Sequence, residues 1–238
     1  MDIRKAAGDK LKHYNVMQGS CAGGDYIFVA FEQKKNKKKG RKHRIKIVKL
    51  DKTGEKVLKV SKPLKIGHAN DMAYRDGILY VTHSGDDDKK SIHRIDANSL
   101  EKLSNIRVKG IDKGGFNGIA CFGSGYLLKK MRSHKIYVVD SSFRFLRSFK
   151  LKKKFSTSQG IDWHKGRLYQ ATSTLQSKHN YINVYTIKGK RVKRIHYAKK
   201  CELEGVFFCD DICYIGIYKK QKKGKKKTYM GMLERISI

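Results

Sequence analysis

The stretch Lys200-Cys201-Glu202-Leu203-Glu204-Gly205-Val206-Phe207-Phe208 decides the fold, because the chain repeats its second half five times. Each copy begins with a polar residue, usually followed by Gly, then small and apolar residues, a loop and an apolar strand. The copies are Gln18-Gly19-Ser20-Cys21-Ala22, Asn70-Asp71-Met72-Ala73-Tyr74, Asn117-Gly118-Ile119-Ala120-Cys121, Gln159-Gly160-Ile161-Asp162-Trp163 and Glu204-Gly205-Val206-Phe207-Phe208. We call the five leading residues, Gln18, Asn70, Asn117, Gln159 and Glu204, the marker residues.

The marker residues are separated by 52, 47, 42 and 45 positions. Repeats of this length that contain several short strands are typical of β-propellers, with one blade per repeat. We predict an all-β fold for residues 1–238, a single five-bladed β-propeller with four-stranded antiparallel blades around a central channel. The predicted blades cover residues 17–62, 68–109, 115–150, 157–198 and 202–238.

The last predicted blade runs out of chain before its fourth strand. An uncovered strand edge invites unwanted pairing. We therefore expect the N-terminal segment, within residues 3–10, to supply a strand that closes the ring.

In a propeller, the innermost strand of each blade lines the channel. We expect the marker residues to form a polar ring at one mouth, with His68, Asp71 and Glu202 beside it. Convergent amides and carboxylates of this kind can bind a small ligand or the end of a substrate. The alternative is that these groups bind water and tie adjacent blades together.

Glu202 and Glu204 are the candidate catalytic residues, with His68 as a further candidate base. Residues two apart on a strand face the same side, and two carboxylates held close and partly out of water have at least one raised pKa. Such a group can act as a general acid or base. The alternative is that Glu202 lies in the entering loop, solvated and paired with one of the many lysines.

The formal net charge is +34, with 55 Lys and Arg against 21 Asp and Glu. This field favours anionic partners. Two Lys-rich runs, 34–43 and 219–227, are expected as loops at equivalent positions of neighbouring blades, where they would form a basic crown beside the polar ring. The candidate anion-binding residues are Lys34, Lys35, Lys37, Lys38, Lys39, Lys222, Lys223, Lys225 and Lys226. The alternative is that both runs are solvated loops.

The partner is expected to be an anionic small molecule or peptide, with an acidic polymer as a further possibility. Lysines outnumber arginines, and bidentate recognition of phosphate or guanine favours Arg, so sequence-specific nucleic-acid binding is not expected. We expect a monomer without a cofactor. His68, Asp71, Glu202 and Glu204 are suitable metal ligands, but their spacing is not diagnostic and we predict no metal.

The five cysteines are an odd number, so they do not form a disulfide framework. A disulfide between Cys209 and Cys213 across a tight turn is one possibility. The sequence contains no apolar run long enough for a transmembrane helix. Its Lys-rich, Pro-poor composition resembles that of exported proteins of Gram-positive bacteria, so we expect a secreted or cell-surface protein. A cytoplasmic location is the alternative.

Three motifs resemble signatures of the five-bladed glutaminyl cyclases of plant and bacterial type: Met17-Gln18-Gly19, Gly115-Phe116-Asn117-Gly118-Ile119-Ala120 followed by Tyr126-Leu127-Leu128, and Cys201-Glu202-Leu203-Glu204-Gly205. The resemblance implies cyclisation of N-terminal Gln at the channel mouth by amide, carboxylate and aromatic residues. The chain departs from that family at Asn70, where the family has Glu, and it lacks the family's third-blade Trp. The Asn that opens the family's last motif falls at Lys200 or Cys201 here.

A second, less specific pattern is Asn70-Asp71 followed by Asp76-Gly77-Ile78-Leu79-Tyr80, which is similar to lactonase-type propellers. Two functions therefore follow from the sequence. One is binding of, and possible catalysis on, a small ligand or peptide end at the channel mouth. The other is a non-catalytic, lectin-like or docking module that binds an acidic cell-wall or surface polymer through its Lys-rich runs.

Overall fold

Five antiparallel sheets stand around a common axis in the computed structural model, which describes residues 1–33, 44–83, 91–111, 115–131, 133–152, 158–174, 176–223 and 226–238. The predicted five-bladed β-propeller is therefore confirmed. Within the described ranges, none of the helices is both long and apolar enough to cross a membrane.

The strands follow one another from the channel outward in every blade. Blade 1 contains β1 (Tyr14–Gly23), β2 (Tyr26–Gln33), β3 (Ile45–Asp51) and β4 (Val57–Val60). Blade 2 contains β5 (Asp71–Arg75), β6 (Ile78–Thr82), β7 (Ser91–Asp96) and β8 (Ile106–Arg107). Blade 3 contains β9 (Phe116–Phe122), β10 (Gly125–Lys130), β11 (Lys135–Val139) and β12 (Phe145–Lys150). Blade 4 contains β13 (Ser158–His164), β14 (Arg167–Ser173), β15 (Asn180–Tyr185) and β16 (Arg191–Tyr197). Blade 5 contains β17 (Glu202–Cys209), β18 (Ile212–Lys223) and β19 (Lys226–Ile236).

The hydrophobic core lies between the blades, so the central strands are apolar on both faces. Strand β18 illustrates the pattern, since alternate residues of a strand face opposite sides. Cys213, Ile215 and Ile217 pack in the cluster shared with blade 4, whereas Tyr214 and Tyr218 pack in the cluster shared with blade 1. Stacking of neighbouring blades therefore buries a face that no blade could bury alone.

The ring closes because each inner strand contacts the next, and β17 contacts β1. The N-terminal segment covers the outer strand of blade 5, but not in the expected form. Ile3–Ala7 form helix α1 and Gly8–Leu11 form a 3₁₀ turn, so only Asp2 pairs with β19, through a bridge to Met232. Asp2 accepts hydrogen bonds from the N–H groups of Arg4 and Lys5, which caps the helix and prevents a longer strand.

Candidate functional site at the channel mouth

The marker residues occupy irregular positions of the inner strands. In β1, β9, β13 and β17 the pairing with the second strand skips Gln18, Asn117, Gln159 and Glu204, so each lies in a β-bulge. Asn70 lies just before β5, and its N–H donates to the Thr82 carbonyl at 3.0 Å. A bulge redirects the side chain away from the regular faces of the sheet, which explains why these positions are polar in otherwise apolar strands.

Two marker amides connect adjacent blades. Asn117 Nδ2 donates to the Ser158 carbonyl at 2.9 Å, and Gln159 Nε2 donates to Glu202 Oε1 at 2.9 Å. Gln18 Nε2 instead donates to the carbonyl of Met17 at 2.9 Å. Within the described residues, the buried Oδ1 atoms of Asn70 and Asn117 have no hydrogen-bond partner. The marker residues therefore both tie blades together and retain acceptors that a ligand can use.

Glu204 is the most unusual group at the mouth. It is 4% exposed, and its carboxyl makes no hydrogen bond within the part of the chain that the structure describes. Burial raises the pKa of Glu204 well above its usual value, and the neighbouring charges of Glu202 and Glu32 raise it further. The raised pKa favours the neutral carboxylic acid form of Glu204, which can donate a proton or a hydrogen bond.

Glu202 is the first residue of β17 and is 6% exposed, so it does not lie solvated in a loop. Burial raises its pKa to about 7, although His68 and the hydrogen bond from Gln159 oppose the shift. A carboxyl with a pKa near the working pH is suited to proton transfer. Glu202 and Glu204 thus lie two residues apart in β17, both are buried, and burial raises both pKa values.

A third carboxyl, Glu32 at the end of β2, completes the cluster and was not predicted. His68 Nδ1 lies 2.7 Å from Glu32 Oε2, and the His68 side chain is 33% exposed. His68 thus contacts Glu32 directly and influences Glu202 electrostatically. The signal in the sequence was slight: Glu32 is the only acid of an apolar strand and carries no repeat marker. We call Glu32, His68, Gln159, Glu202 and Glu204 the mouth cluster.

An aromatic side chain borders the mouth cluster. Tyr218 pairs with Glu202 in the β17–β18 register, and its pKa is raised by burial and by the charges of nearby Tyr229, Glu204 and Glu202. Its ring lies nearly parallel to that of Tyr229, with centroids 6.2 Å apart. The buried Tyr218 ring therefore lies beside two carboxyls.

Asp71 does not lie at the open mouth but is fully buried at the axis. It stands where the other four repeats have glycine. Its Oδ2 accepts hydrogen bonds from the N–H groups of Ile119 at 2.9 Å and Ile161 at 3.0 Å, on blades 3 and 4. Burial raises the pKa of Asp71 well above its usual value despite these bonds. Asp71 therefore joins three blades and fills the axis below the mouth cluster.

A cavity of about 160 Å³ lies at the opposite ends of the inner strands, lined in part by Cys21, Cys121 and Asp162. Asp162 Oδ2 accepts the N–H of Phe208 at 2.8 Å, which joins blades 4 and 5. Burial raises the pKa of Asp162 to about 7. Nothing in the sequence marks Asp162 as unusual, because it resembles an ordinary Asp near the end of a strand.

All five cysteines are free thiols, so the possible disulfide between Cys209 and Cys213 is absent. Cys209 pairs with Ile212 and Cys213 pairs with Phe208, which are successive positions of the register. Successive positions point to opposite faces of a sheet, and the two thiols lie in different core clusters. No group of three or more His, Cys, Asp or Glu placed to hold a metal ion occurs among the described residues.

Most of the two Lys-rich runs cannot be placed beside the mouth cluster. Run 34–43 lies outside the described residues, as do Lys225 and the side chains of Lys222, Lys223 and Lys226. The expected loop at 219–227 is largely β-strand, because β18 extends to Lys223 and β19 begins at Lys226. The basic crown formed by both runs stays a prediction.

The fold is similar to those of several proteins of known structure. The structure is similar to Myxococcus xanthus glutaminyl cyclase, with a TM-score of 0.63 and 10% sequence identity over 94% of this chain and 93% of that chain. It also matches Kuenenia stuttgartiensis hydrazine synthase (TM-score 0.47, 15% identity, 92% and 65% covered) and the Neurospora crassa Pan2 WD40 domain (0.49, 9%, 99% and 67%). No protein-family model and no curated protein sequence matches the chain. The expected resemblance to glutaminyl cyclases is thus confirmed at the level of the fold.

Proposed function

We propose that the protein binds a small ligand or the amino-terminal end of a peptide at the channel mouth, and that it acts there as a glutaminyl-cyclase-like enzyme. The observation that carries the proposal is the Glu204 carboxyl, which is buried, makes no hydrogen bond to a described residue, and adjoins Glu202, whose pKa is raised to about 7 by burial. A buried polar group without a partner destabilises the fold. Such groups are retained most readily where they serve a ligand.

The chemistry of glutamine cyclisation fits this pair. The α-amino nitrogen bonds to the side-chain carboxamide carbon, the bond from that carbon to the amide nitrogen breaks, and ammonia leaves. One group must accept the amine proton, and another must donate a proton to the departing nitrogen. Glu202 in its ionised form suits the first role, and protonated Glu204 suits the second. His68, which contacts Glu32, lowers the pKa of Glu202 and so favours its ionised form.

The mouth cluster favours a ligand that carries an amine. Three carboxyls and an imidazole converge there. Tyr218 offers an apolar contact for the methylene groups of a side chain. The unpaired Oδ1 atoms of Asn70 and Asn117 could accept hydrogen bonds from the N–H groups of a peptide end.

The test is ammonia release from a panel of dipeptides that begin with Gln, compared with the same peptides beginning with Asn or Glu. Glu204→Gln should lower turnover by about 10² to 10⁴-fold, the usual range for loss of general acid–base catalysis. Its unfolding midpoint should not fall, since burial favours the uncharged form of the Glu204 carboxyl and the glutamine amide is also uncharged. Glu101→Gln, at an exposed position, is the matched control and should retain full turnover.

Retention of turnover by Glu204→Gln would overturn the assignment of the acid. Absence of turnover by the unmutated protein over the whole panel would overturn the enzymatic proposal. Binding of the same peptides without ammonia release would instead identify a non-catalytic binding module.

A further inference from the structure

The outer strands of the four-stranded blades carry an exposed aliphatic residue at one recurring position. In blades 1, 3 and 4 the pairing of the third and fourth strands skips a residue, which lies in a β-bulge near the start of the fourth strand. The skipped residues are Leu58, Leu146 and Val192, which are 43%, 60% and 50% exposed. The equivalent residue of blade 2, Leu103, is 38% exposed. We call these four residues the rim anchors.

Basic side chains flank the rim anchors of blades 1, 3 and 4. Each of these anchors has Lys or Arg two positions before it and one position after it, in Lys56-Val57-Leu58-Lys59, Arg144-Phe145-Leu146-Arg147 and Lys190-Arg191-Val192-Lys193. Blade 2 has Glu101 and Ser104 at these two positions. Single exposed apolar residues are ordinary on a protein surface. Their recurrence between two basic residues instead indicates a position that serves contacts outside the blade.

Blades 3 and 4 differ from blades 1 and 2 in the acids near the anchors. Between Asp140 and Glu202 the sequence contains one acid, Asp162, which lines the central cavity. The exposed acids Glu55 and Glu101 instead stand within three residues of the anchors of blades 1 and 2. The anchors of blades 3 and 4 therefore lie in segments whose exposed charges are positive.

The outer strands of blades 3 and 4 adjoin each other. The turn that leads into β16 rests on the end of β12, where the N–H of Lys152 donates to the Gly189 carbonyl at 3.0 Å. Gly189 packs so closely against the Lys150 carbonyl that a side chain there would clash. From Leu146 to Lys150, β12 extends roughly 13 Å. We call residues 144–150 and 188–194 the basic rim.

The basic rim presents charge and apolar surface together. Phe145, next to Leu146, is a third large apolar side chain that is exposed. Within the described residues, none of the four flanking cations forms an ion pair; they are Arg144, Arg147, Lys190 and Lys193. These cations are therefore available to an anionic partner.

We propose that the basic rim docks the protein on the surface of a lipid bilayer that contains anionic headgroups. The apolar side chains would enter the interface between headgroups and acyl chains, while the flanking cations contact the headgroups. A nucleic acid or an acidic polysaccharide offers anions but no apolar layer for the aliphatic side chains. A second copy of the chain would bring like charges together, since the net charge is +34.

Docking through the basic rim leaves the channel mouth open. Successive strands of a blade run in opposite directions, and the inner strand begins at the mouth. The turn between the third and fourth strands, which precedes each anchor, therefore lies at the end of the blade away from the mouth. The basic rim is thus separate from the mouth cluster and goes beyond the proposed function.

The test is co-sedimentation with phosphatidylcholine vesicles that contain about one-third phosphatidylserine, compared with vesicles of phosphatidylcholine alone. The unmutated protein should bind the mixed vesicles more tightly by about 10-fold or more. Leu146→Asn combined with Val192→Asn should weaken this binding by about 10-fold or more, because two apolar side chains no longer enter the interface. The matched control, Leu58→Asn with Leu103→Asn, changes the same position in blades 1 and 2 and should leave the affinity unchanged.

A second pair of variants tests the charge. Replacing the four flanking cations of the basic rim with Gln should weaken binding to the mixed vesicles by about 10²-fold. Its control removes the same charge from exposed lysines of blades 1 and 2 and should weaken binding much less; these are Lys56, Lys62, Lys65 and Lys102. The unfolding midpoint should not fall in any variant, because all the replaced side chains are exposed.

Equal losses in a variant and its matched control would overturn the assignment to the basic rim. Absence of binding to the mixed vesicles, equal binding to phosphatidylcholine alone, or full binding by the variant of Leu146 and Val192 would overturn the proposal. Tighter binding to duplex DNA or to polyglutamate than to the mixed vesicles would identify a polyanion as the partner and would also overturn it.

Discussion

Asp71 has a different structural role from the residues at the equivalent position of the other four repeats. In the sequence it reads as part of the polar ring, because it follows the marker residue Asn70. In the structure it stands where the other four repeats have glycine, and it is fully buried at the axis, with its carboxyl beside Gly160 and its backbone beside Gly19. Only the three-dimensional arrangement of the blades distinguishes these two roles, so sequence could identify the residue but not its place.

The buried acids predict an unusual dependence of stability on pH. The pKa of Glu202 rises from 4.5 to about 7 on folding. Between these values the folded protein holds a proton that the unfolded chain has lost, so the free energy of unfolding falls as the pH rises from 4.5 to 7. One pKa unit corresponds to about 1.4 kcal/mol, which gives a loss of about 3 kcal/mol from this group.

Glu202→Gln should therefore match the unmutated protein at pH 4 and exceed its stability by about 2–3 kcal/mol at pH 8. Urea unfolding at a series of pH values measures this difference. Glu101→Gln, exposed and distant from the mouth, should follow the unmutated protein at every pH. Parallel curves for Glu202→Gln and the unmutated protein would contradict the assigned shift.

The positions of the inner strands could be predicted well from the sequence. Their β-bulges could not. The recurring polar residue located all five strands, because the repeat constrains residue type at a fixed point of each blade. That the residue lies in a bulge could not be derived, since a bulge depends on the register with the second strand. Glycine after the marker was the available hint, because it permits close approach of backbones.

Gly19 provides the sharpest test of that close approach. A Cβ at this position would lie 2.5 Å from the Asp71 Cα and 2.8 Å from its backbone nitrogen, atoms that cannot move aside. Gly19→Ala should therefore lower the free energy of unfolding by about 3 kcal/mol or more. Gly77→Ala is the matched control: its φ is +77° but no heavy atom lies within 4 Å, so only backbone strain of about 1 kcal/mol applies.

Urea unfolding of both glycine variants separates crowding from strain. A loss in Gly19→Ala no greater than that in Gly77→Ala would mean that the blades can spread at the axis. Such a result would also weaken the view that Asp71 fills a tightly bounded space.

At the scale of the whole molecule, the sequence predicted five blades and a need to cover the last one, but it assigned the wrong conformation to the cover. Residues 3–10 lack strand alternation, and helix α1 instead packs against β19 of blade 5 and β4 of blade 1. The helix thus joins the first and last blades. Similarly, a Lys-rich run suggested a loop, because charge pattern reports exposure and not backbone conformation.

Because helix α1 closes the ring, truncating a buried side chain in this helix should lower the free energy of unfolding substantially. Ile3 is fully buried in the cluster shared by blades 5 and 1. Ile3→Ala should lower the free energy of unfolding by about 2–5 kcal/mol, as for other buried truncations to Ala. Leu103→Ala, at a position that is 38% exposed, should change it by less than about 0.5 kcal/mol. An Ile3→Ala protein as stable as the unmutated one would show that the ring closes without the helix.

The buried Asp71 blocks the channel below the mouth, so the mouth is a pocket that is open at one end. The carboxyl stands on the axis, bound to blades 3 and 4 and packed against the glycine backbones of blades 1 and 4. Whatever enters must leave by the same opening, so a reaction there must release its product before the next molecule can enter. A polymer cannot thread the ring, and only its terminal unit can reach the carboxyls while the remainder lies outside.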